Sequence, residues 1–358
     1  MNNQNLFTWV ARAATSLSLS LILSFGYGQA MQAHYVNVGQ AASAVLEFPC
    51  GAVLIDAGAQ DHETQTHLLN YLDAFFQRRL DLHNTFDLVI ITHDHIDHDT
   101  VLKAIAAKYH IKNYVDNGVR RGSGKVNQNW LEDNATAMGI RYESFSFEQI
   151  TATGKSGLKT PILDPLKCND ISPVFTVFSG RFDKKPIGWT KDEFKTKGNL
   201  HSLVIRLDYG KASFLFTGDL ELKAITKVHD YYNGTSALDV DVWEASHHGS
   251  NNGTTEELLK LITPKYVVIS VGHWNSGIDK PSGTFNTFHY GHPRLSTIKL
   301  LSDAVPGNRS TPTHSVAFRG VGDTTNVIIK KNVYLTSTDG DVTIEATAQG
   351  SYTVKVAQ

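Results

Sequence analysis

Thr92-His93-Asp94-His95-Ile96-Asp97-His98 closes the apolar run Asp87-Leu88-Val89-Ile90-Ile91. A continuous apolar strand of this kind is buried on both faces. Its end therefore delivers three imidazoles and a carboxylate from a rigid support into a small volume. Neutral imidazole and carboxylate are ligands that zinc accepts. A solvated polar loop would explain the charges but not the strand that carries them. The spacing assigns His93 and His95 to one metal, and Asp97 and His98 to a second.

Working outward, the same pattern of strand then ligand occurs twice more. Phe214-Leu215-Phe216-Thr217-Gly218-Asp219 is an apolar strand that ends in a glycine turn exposing a carboxylate. Two like-charged metals about 3.5–4 Å apart need an anion between them, and Asp219 is the candidate. Its bland alternative is a helix N-cap for the segment beginning at Leu220. His247-His248-Gly249-Ser250 follows the strand Val240 to Ala245 in the same manner. One histidine of the pair completes the second metal site and the other faces substrate. Spacing does not separate them; the working assignment takes His247 as ligand and His248 as the substrate-facing residue.

Composition agrees with a metal site and excludes some partners. Sixteen histidines are many for 358 residues, and several are clustered. With 33 basic against 35 acidic residues the formal charge is −2, so no global positive field draws the chain to DNA or anionic lipid. Nucleic-acid contact would have to be local. The Gly-rich basic stretch from Gly118 to Asn129, with Arg120, Arg121 and Lys125, reads as a loop able to offer phosphate contacts; a solvated loop explains those charges equally well.

The N-terminus reads as a targeting segment. After Arg12 no Asp, Glu, Lys or Arg occurs until Glu47, and Leu17 to Leu23 forms a short apolar core. Gly28 and Ala30 suit a cleavage site, which makes residues 1–30 a signal peptide and Met31 the first mature residue. The run is short and rich in Ser and Gly for a membrane span, and an uncleaved anchor is the alternative to cleavage. The chain is then exported, to a periplasmic or extracellular space. There the two cysteines, Cys50 and Cys168, either pair or remain free thiols; the sequence leaves both open.

Residues 31–358 read as one hydrolase domain with a C-terminal β extension. Short strands at His34 to Val38, Ala44 to Phe48 and Ala52 to Ile55 precede an amphipathic helix at Glu63 to Leu80. A hairpin is expected across Tyr209-Gly210, helices at Glu221 to Asp230 and Thr255 to Ile262, and a strand at Lys265 to Val271. Gly277 to Tyr290 is a polar insertion, and the tail from Asn332 fits a hairpin around Asp339-Gly340. Two β-rich halves with helices outside give an α/β fold, a four-layer αββα sandwich.

These motifs, in this order, resemble the metallo-β-lactamase superfamily, and within it the extracellular hydrolase domain of ComEC competence proteins. The resemblance is carried by Val38-Gly39-Gln40, Leu54-Ile55-Asp56-Ala57-Gly58, the histidine motif, Ser202-Leu203-Val204, Thr217-Gly218-Asp219, His247-His248-Gly249-Ser250 and Tyr290-Gly291-His292-Pro293. It implies that Asp56 braces the histidine loop. The sequence departs from the branch at Asn37, where aspartate is usual, and in the length of the insertion before Tyr290. His201 stands where the branch often has asparagine. It is either a third protein ligand of the first metal, as in the wider superfamily, or a plain strand-end residue.

The expected cofactors are two divalent ions, zinc with manganese as the alternative, which acidify water to hydroxide for attack on a phosphoryl or carbonyl centre. Asp97 orients the nucleophile-bearing metal; His292 or His248 donates a proton or hydrogen bond to the leaving oxygen. His292 in a Gly-His-Pro turn has a structural alternative, and His273 and His289 are weaker candidates. The substrate reading is a phosphodiester, nucleic acid or an envelope phosphoester. β-Lactam hydrolysis is the alternative within enzymes, and a non-catalytic metal-binding protein the alternative outside them. No protein partner can be inferred. Export with cleavage predicts that N-terminal sequencing of protein recovered outside the cytoplasm begins near Met31. Intact Met1 in the soluble cytoplasm would sink it.

Overall fold

Strands with an apolar face bury it only against another layer, and this chain solves the problem with two stacked sheets. The computed structural model describes residues 30–281 and 283–357. The targeting segment, Ala30 apart, lies outside the described residues. The first sheet runs in the order Tyr352–Val356, Val342–Ala346, Met31–Tyr35, Ala44–Phe48, Gly51–Ile55, Leu88–Ile90, Asn113–Asp116 and Arg141–Ser144. It is antiparallel up to Gly51–Ile55 and parallel from there on. The second runs Val333–Leu335, Tyr266–Ile269, Val242–Glu244, Ala212–Phe216, Val204–Tyr209 and Val174–Ser179.

Three apolar clusters define the layers. Between the sheets lie Phe48, Val53 and Ile90 of the first and Phe175, Ile205 and Phe214 of the second. Outside the first sheet, Leu68, Leu72, Phe75 and Phe76 of helix His62–Arg78 pack with Leu102 and Ile105 of helix Leu102–Lys108. Outside the second, helices Leu222–Tyr232, Glu256–Ile262 and Leu295–Ala304 contribute Ile225, Val228, Leu258 and Leu301. This is the αββα sandwich expected of the sequence. No helix among the described residues is long and apolar enough to cross a membrane.

The elements confirm some local readings and correct others. Val204–Tyr209 and Ala212–Phe216 pair as the expected hairpin, with Gly210 at φ +62° in the turn. The loop read at Gly118 to Asn129 is loop only in its first half, because Lys125–Ala135 is helical and buries Gln128, Leu131 and Ala135. The terminal hairpin turns at Thr347 to Ser351 and not at Asp339-Gly340, which close the short helix Thr336–Asp339. Among the features that escaped the sequence reading are strands Asn113–Asp116, Arg141–Ser144 and Val174–Ser179, helices Leu102–Lys108 and Leu295–Ala304, and the separate hairpin of Thr313–Gly320 with Asp323–Ile329.

Cys50 and Cys168 form a disulfide across 118 residues, with Cα atoms 5.3 Å apart. It ties the turn after Ala44–Phe48 to the segment entering Val174–Ser179, and so joins the first sheet to the edge strand of the second. A closed loop of this size removes much unfolded-state entropy. The Cys50→Ser/Cys168→Ser variant is expected to lose about 4 kcal/mol of stability, seen as a lower urea midpoint; an unchanged midpoint would remove the bridge.

Candidate metal centre

The strand Leu88–Ile90 ends directly before the histidine motif, and Asp56 secures the junction. Asp56 sits at φ +57° after Gly51–Ile55. It accepts hydrogen bonds from Thr92 N at 2.7 Å, Thr92 Oγ1 at 2.9 Å and His98 Nδ1 at 2.7 Å. Gly58 lets the chain pass close, since a Cβ there would stand 1.6 Å from the Asp97 carbonyl oxygen. On the other side Asp94 accepts from the Arg121 and Gly122 backbone N–H groups. A Cβ at Gly122 would lie 2.6 Å from His95 Cδ2. The glycines of that loop therefore serve close packing around the histidine motif.

Each deep imidazole has its Nδ1 committed. His98 Nδ1 donates to Asp56, and His248 Nδ1 donates to the Ser270 carbonyl at 2.7 Å. A carbonyl can only accept, so Nδ1 of His248 carries the proton. His93 Nδ1 lies 3.2 Å from Thr92 Oγ1, whose own hydrogen goes to Asp56. The Nε2 atoms of His93, His98 and His248 are buried without a hydrogen-bond partner. Three buried imidazole nitrogens without a hydrogen-bond partner, converging beside carboxylates, form a donor set that fits a divalent metal.

Asp219 stands in the middle. Its Oδ1 is 3.1 Å from His98 Nε2 and 3.6 Å from His248 Nε2; its Oδ2 is 3.9 Å from His93 Nε2 and 3.8 Å from His247 Nε2. Asp97 Oδ2 approaches His248 Nε2 at 3.4 Å. Asp97, His98, Asp219 and His248 each offer a ligand atom within 4.8 Å of the others. His95 joins at the edge, its ring centroid 4.8 Å from that of His93.

The electrostatics show what the pocket demands. Burial disfavours charge on His98, but Asp219 and Asp56 outweigh it and hold its pKa well above the usual histidine range. Burial raises Asp219, yet the surrounding His98, His248 and His247 pull its carboxyl well below the ordinary value. His93, with burial uncompensated and His98 beside it, is held far below 6.5 and stays neutral. Behind the ligands, burial lifts Glu244 to about 7.

Several sequence expectations need correction. His201 faces away: its Nδ1 accepts from Phe182 N–H at 3.0 Å, its Nε2 donates to the Phe194 carbonyl, and Phe182, Trp189 and Phe194 surround the ring. Burial takes its pKa down to about 4, so it is a core histidine. Asn199 of the same turn takes the place by the site, donating to Glu221 Oε1 at 2.8 Å and lying 3.4 Å from His247 Nε2. The roles given to the histidine pair also change. His248 belongs with the ligand atoms, and His247 sits at the rim with its Nδ1 on Asn252. Arg120 is no phosphate-binding residue: its guanidinium donates to Asp116, Gln128, Glu132 and Tyr142. Arg121 turns to the Phe194 carbonyl and ring. His273 and His289 bond within the insertion, to Asn275 and the Lys280 carbonyl.

His292 does reach the site, its ring 5.3 Å from that of His247. Burial keeps it neutral, far below the usual pKa. The sequence reading gave no role to Gln60. Its Oε1 accepts from Gln40 N at 2.9 Å and from Thr287 Oγ1 at 3.3 Å, and its Nε2 donates to Ser276 Oγ at 2.5 Å. It staples the insertion to the Val38-Gly39-Gln40 loop. Nothing local distinguishes such a glutamine from a surface one.

A sheet sandwich with this ligand cluster on its strand ends defines a class, and comparison with known proteins agrees. A model of the metallo-beta-lactamase superfamily matches residues 36–273, and the chain belongs to that superfamily. Shorter stretches are similar to curated proteins. "Recombination protein 2" of Haemophilus influenzae is 40% identical over 77 residues, 22% of this chain and 9% of that protein. "ComE operon protein 3" of Bacillus subtilis is 32% identical over 103 residues, 29% of this chain and 11% of that protein. The matches thus span about a tenth of the relatives' length. Among solved structures, YhfI of Bacillus subtilis has a TM-score of 0.39 at 9% identity, covering 68% of this chain and 87% of that one. Human tRNase Z, short form, has a TM-score of 0.37 at 14% identity, covering 66% and 91%.

Removing a ligand carboxylate or imidazole should empty the centre without unfolding strands that do not depend on it. Asp219→Ala and His95→Ala are expected to lose bound metal by elemental analysis while the far-ultraviolet circular dichroism is kept. Asp56→Asn should weaken metal affinity about 10- to 100-fold by chelator competition. Full occupancy in all three would remove the centre.

Proposed function

We propose that this chain is an exported hydrolase that uses two divalent cations, zinc or manganese, to cleave phosphodiesters. The reading rests above all on Asp219, whose two oxygens face different imidazoles. His93, His95 and Asp219 would hold one cation, and Asp97, His98, Asp219 and His248 the other. Such a pair, when bound, acidifies water and steadies both attacking and leaving oxygens of an in-line displacement at phosphorus.

The chain's own residues supply the rest. Asp56, Thr92 and the Ser270 carbonyl fix the imidazole orientations. Asp97 would help to hold and orient the second cation. His292 and His247, at the rim, offer hydrogen bonds to substrate oxygens. Similarity to proteins named for recombination and competence supports nucleic acid among the phosphodiesters. The disulfide supports an oxidising destination, periplasmic or extracellular.

The test compares bis(p-nitrophenyl) phosphate, single- and double-stranded DNA and a chromogenic cephalosporin on zinc- and manganese-loaded protein. Phosphodiesters are expected to turn over faster. Cephalosporin hydrolysis alone would install the β-lactamase reading. Bound metal with no turnover of any ester, thioester or lactone would leave a metal-binding protein. Arg121 and Lys125 are exposed basic residues of the segment whose glycines pack on the histidine motif. Their joint replacement by alanine should weaken DNA cleavage and spare the small diester.

A further inference from the structure

Two motifs far apart in the chain meet in one hydrogen bond. Gln40 Nε2 lies 3.3 Å from His292 Nδ1, and both residues are buried, at 1% and 6% exposure. Among the described residues nothing hydrogen-bonds to His292 Nε2. The loop carrying Gln40 is held on its other side by Gln60, through Gln40 N, Thr287 and Ser276. Gly39, at φ +75°, allows this approach, since a Cβ there would stand 2.7 Å from Gln60 Cβ. The contact is therefore built from both ends.

We propose that Gln40 is a positioning residue that fixes His292 as its Nε2–H tautomer, so that a neutral hydrogen-bond donor, and not a base, faces a phosphodiester oxygen. This rests on the phosphodiester reading for the identity of the oxygen, but the tautomer does not.

The argument is one of donors and acceptors. An amide N–H2 beside Nδ1 requires a lone pair on Nδ1, which places the ring proton on Nε2. This orientation leaves Gln40 Oε1 buried and unpartnered; the reverse would bury an unpartnered N–H2 instead. Buried carbonyl oxygens lacking a partner are tolerated more often than buried N–H groups. A neutral N–H donor also suits its surroundings: it stabilises charge developing on oxygen without adding a cation beside His247 and the metals, and it needs no proton transfer.

The ring is read directly by two-bond nitrogen–proton correlation on the full-length, nitrogen-15-labelled protein, with His292 assigned by loss of its signals in His292→Gln. The wild type is expected to show a protonated Nε2 and an unprotonated Nδ1. A protonated Nδ1 overturns the proposal, and this measurement needs neither a variant nor a substrate. In Gln40→Glu the carboxylate accepts from Nδ1–H, so the tautomer should reverse. On bis(p-nitrophenyl) phosphate kcat should then fall roughly 100-fold, the loss typical of one misplaced donor, with KM and metal content kept. Gln40→Leu should give a mixture of tautomers and a smaller loss. If Gln40→Glu leaves the tautomer unchanged, Gln40 does not set it. The proposed tautomer in a protein that cleaves no phosphodiester would keep the positioning role and reject the substrate reading.

Discussion

Asp56 accepts three hydrogen bonds, from the backbone and hydroxyl of Thr92 and from His98, while its own backbone is held in the left-handed region. A non-glycine residue there costs on the order of 1–3 kcal/mol. That cost is offset only because the three bonds lock the ends of two adjacent parallel strands together. From this lock follow the direction of His98 Nε2, the acceptor role of Thr92 Oγ1 toward His93, and the place at which Asp219 can meet both rings. The second sheet contributes Asp219 and His248 from strand ends that face the first. The sandwich is thus the device that brings two independently built edges to one point.

The field at that point is not uniform, and the difference sorts the histidines. His98 and His248 lie between carboxylates, which raise their affinity for positive charge, and the same attraction serves a metal ion. His93 and His292 are dominated by burial and stay neutral. One small region therefore holds ligands drawn toward cationic partners and a neutral ring at its rim. Glu244, whose carboxyl accepts from Ser270 Oγ behind the pocket, is lifted by burial toward its neutral form and stays outside the ligand set.

The sequence made the strand-end ligands legible because each is announced locally, by an apolar run that stops at a polar residue. His93, His95, Asp97, His98, Asp219 and His248 share that announcement. His201, proposed from the resemblance and not from such a run, is misleading, because a turn of 3-10 helix over Gly198–His201 sends Asn199 to the site and the histidine into an aromatic box. Arg120 looked like a free charge although Asp116, its partner, lies only four residues away. A carboxylate at a strand end reads equally well as a turn residue. Gln40 and Gln60 were illegible in role because their partners, His292 and Thr287, come from a distant segment that only the fold brings near. The C-terminal hairpin was visible as alternation, but not its destination beside Met31–Tyr35.

That destination has a consequence for how the chain folds. Met31–Tyr35 lies between Ala44–Phe48 and Val342–Ala346, and Asp341 accepts from Asn37 N at 2.7 Å next to this seam. One neighbour of the first strand follows it closely in the sequence, and the other, with Thr343 against His34, lies 309 residues on. Pairing across such a separation is slow, because a long loop must close before the contacts form. Until the last strands arrive, the first sheet ends in an open edge able to recruit other chains. Completion of this sheet is therefore a slow event, and removing Val342–Ala346 and Tyr352–Val356 would unseal the layer that carries Asp56 and the histidine motif.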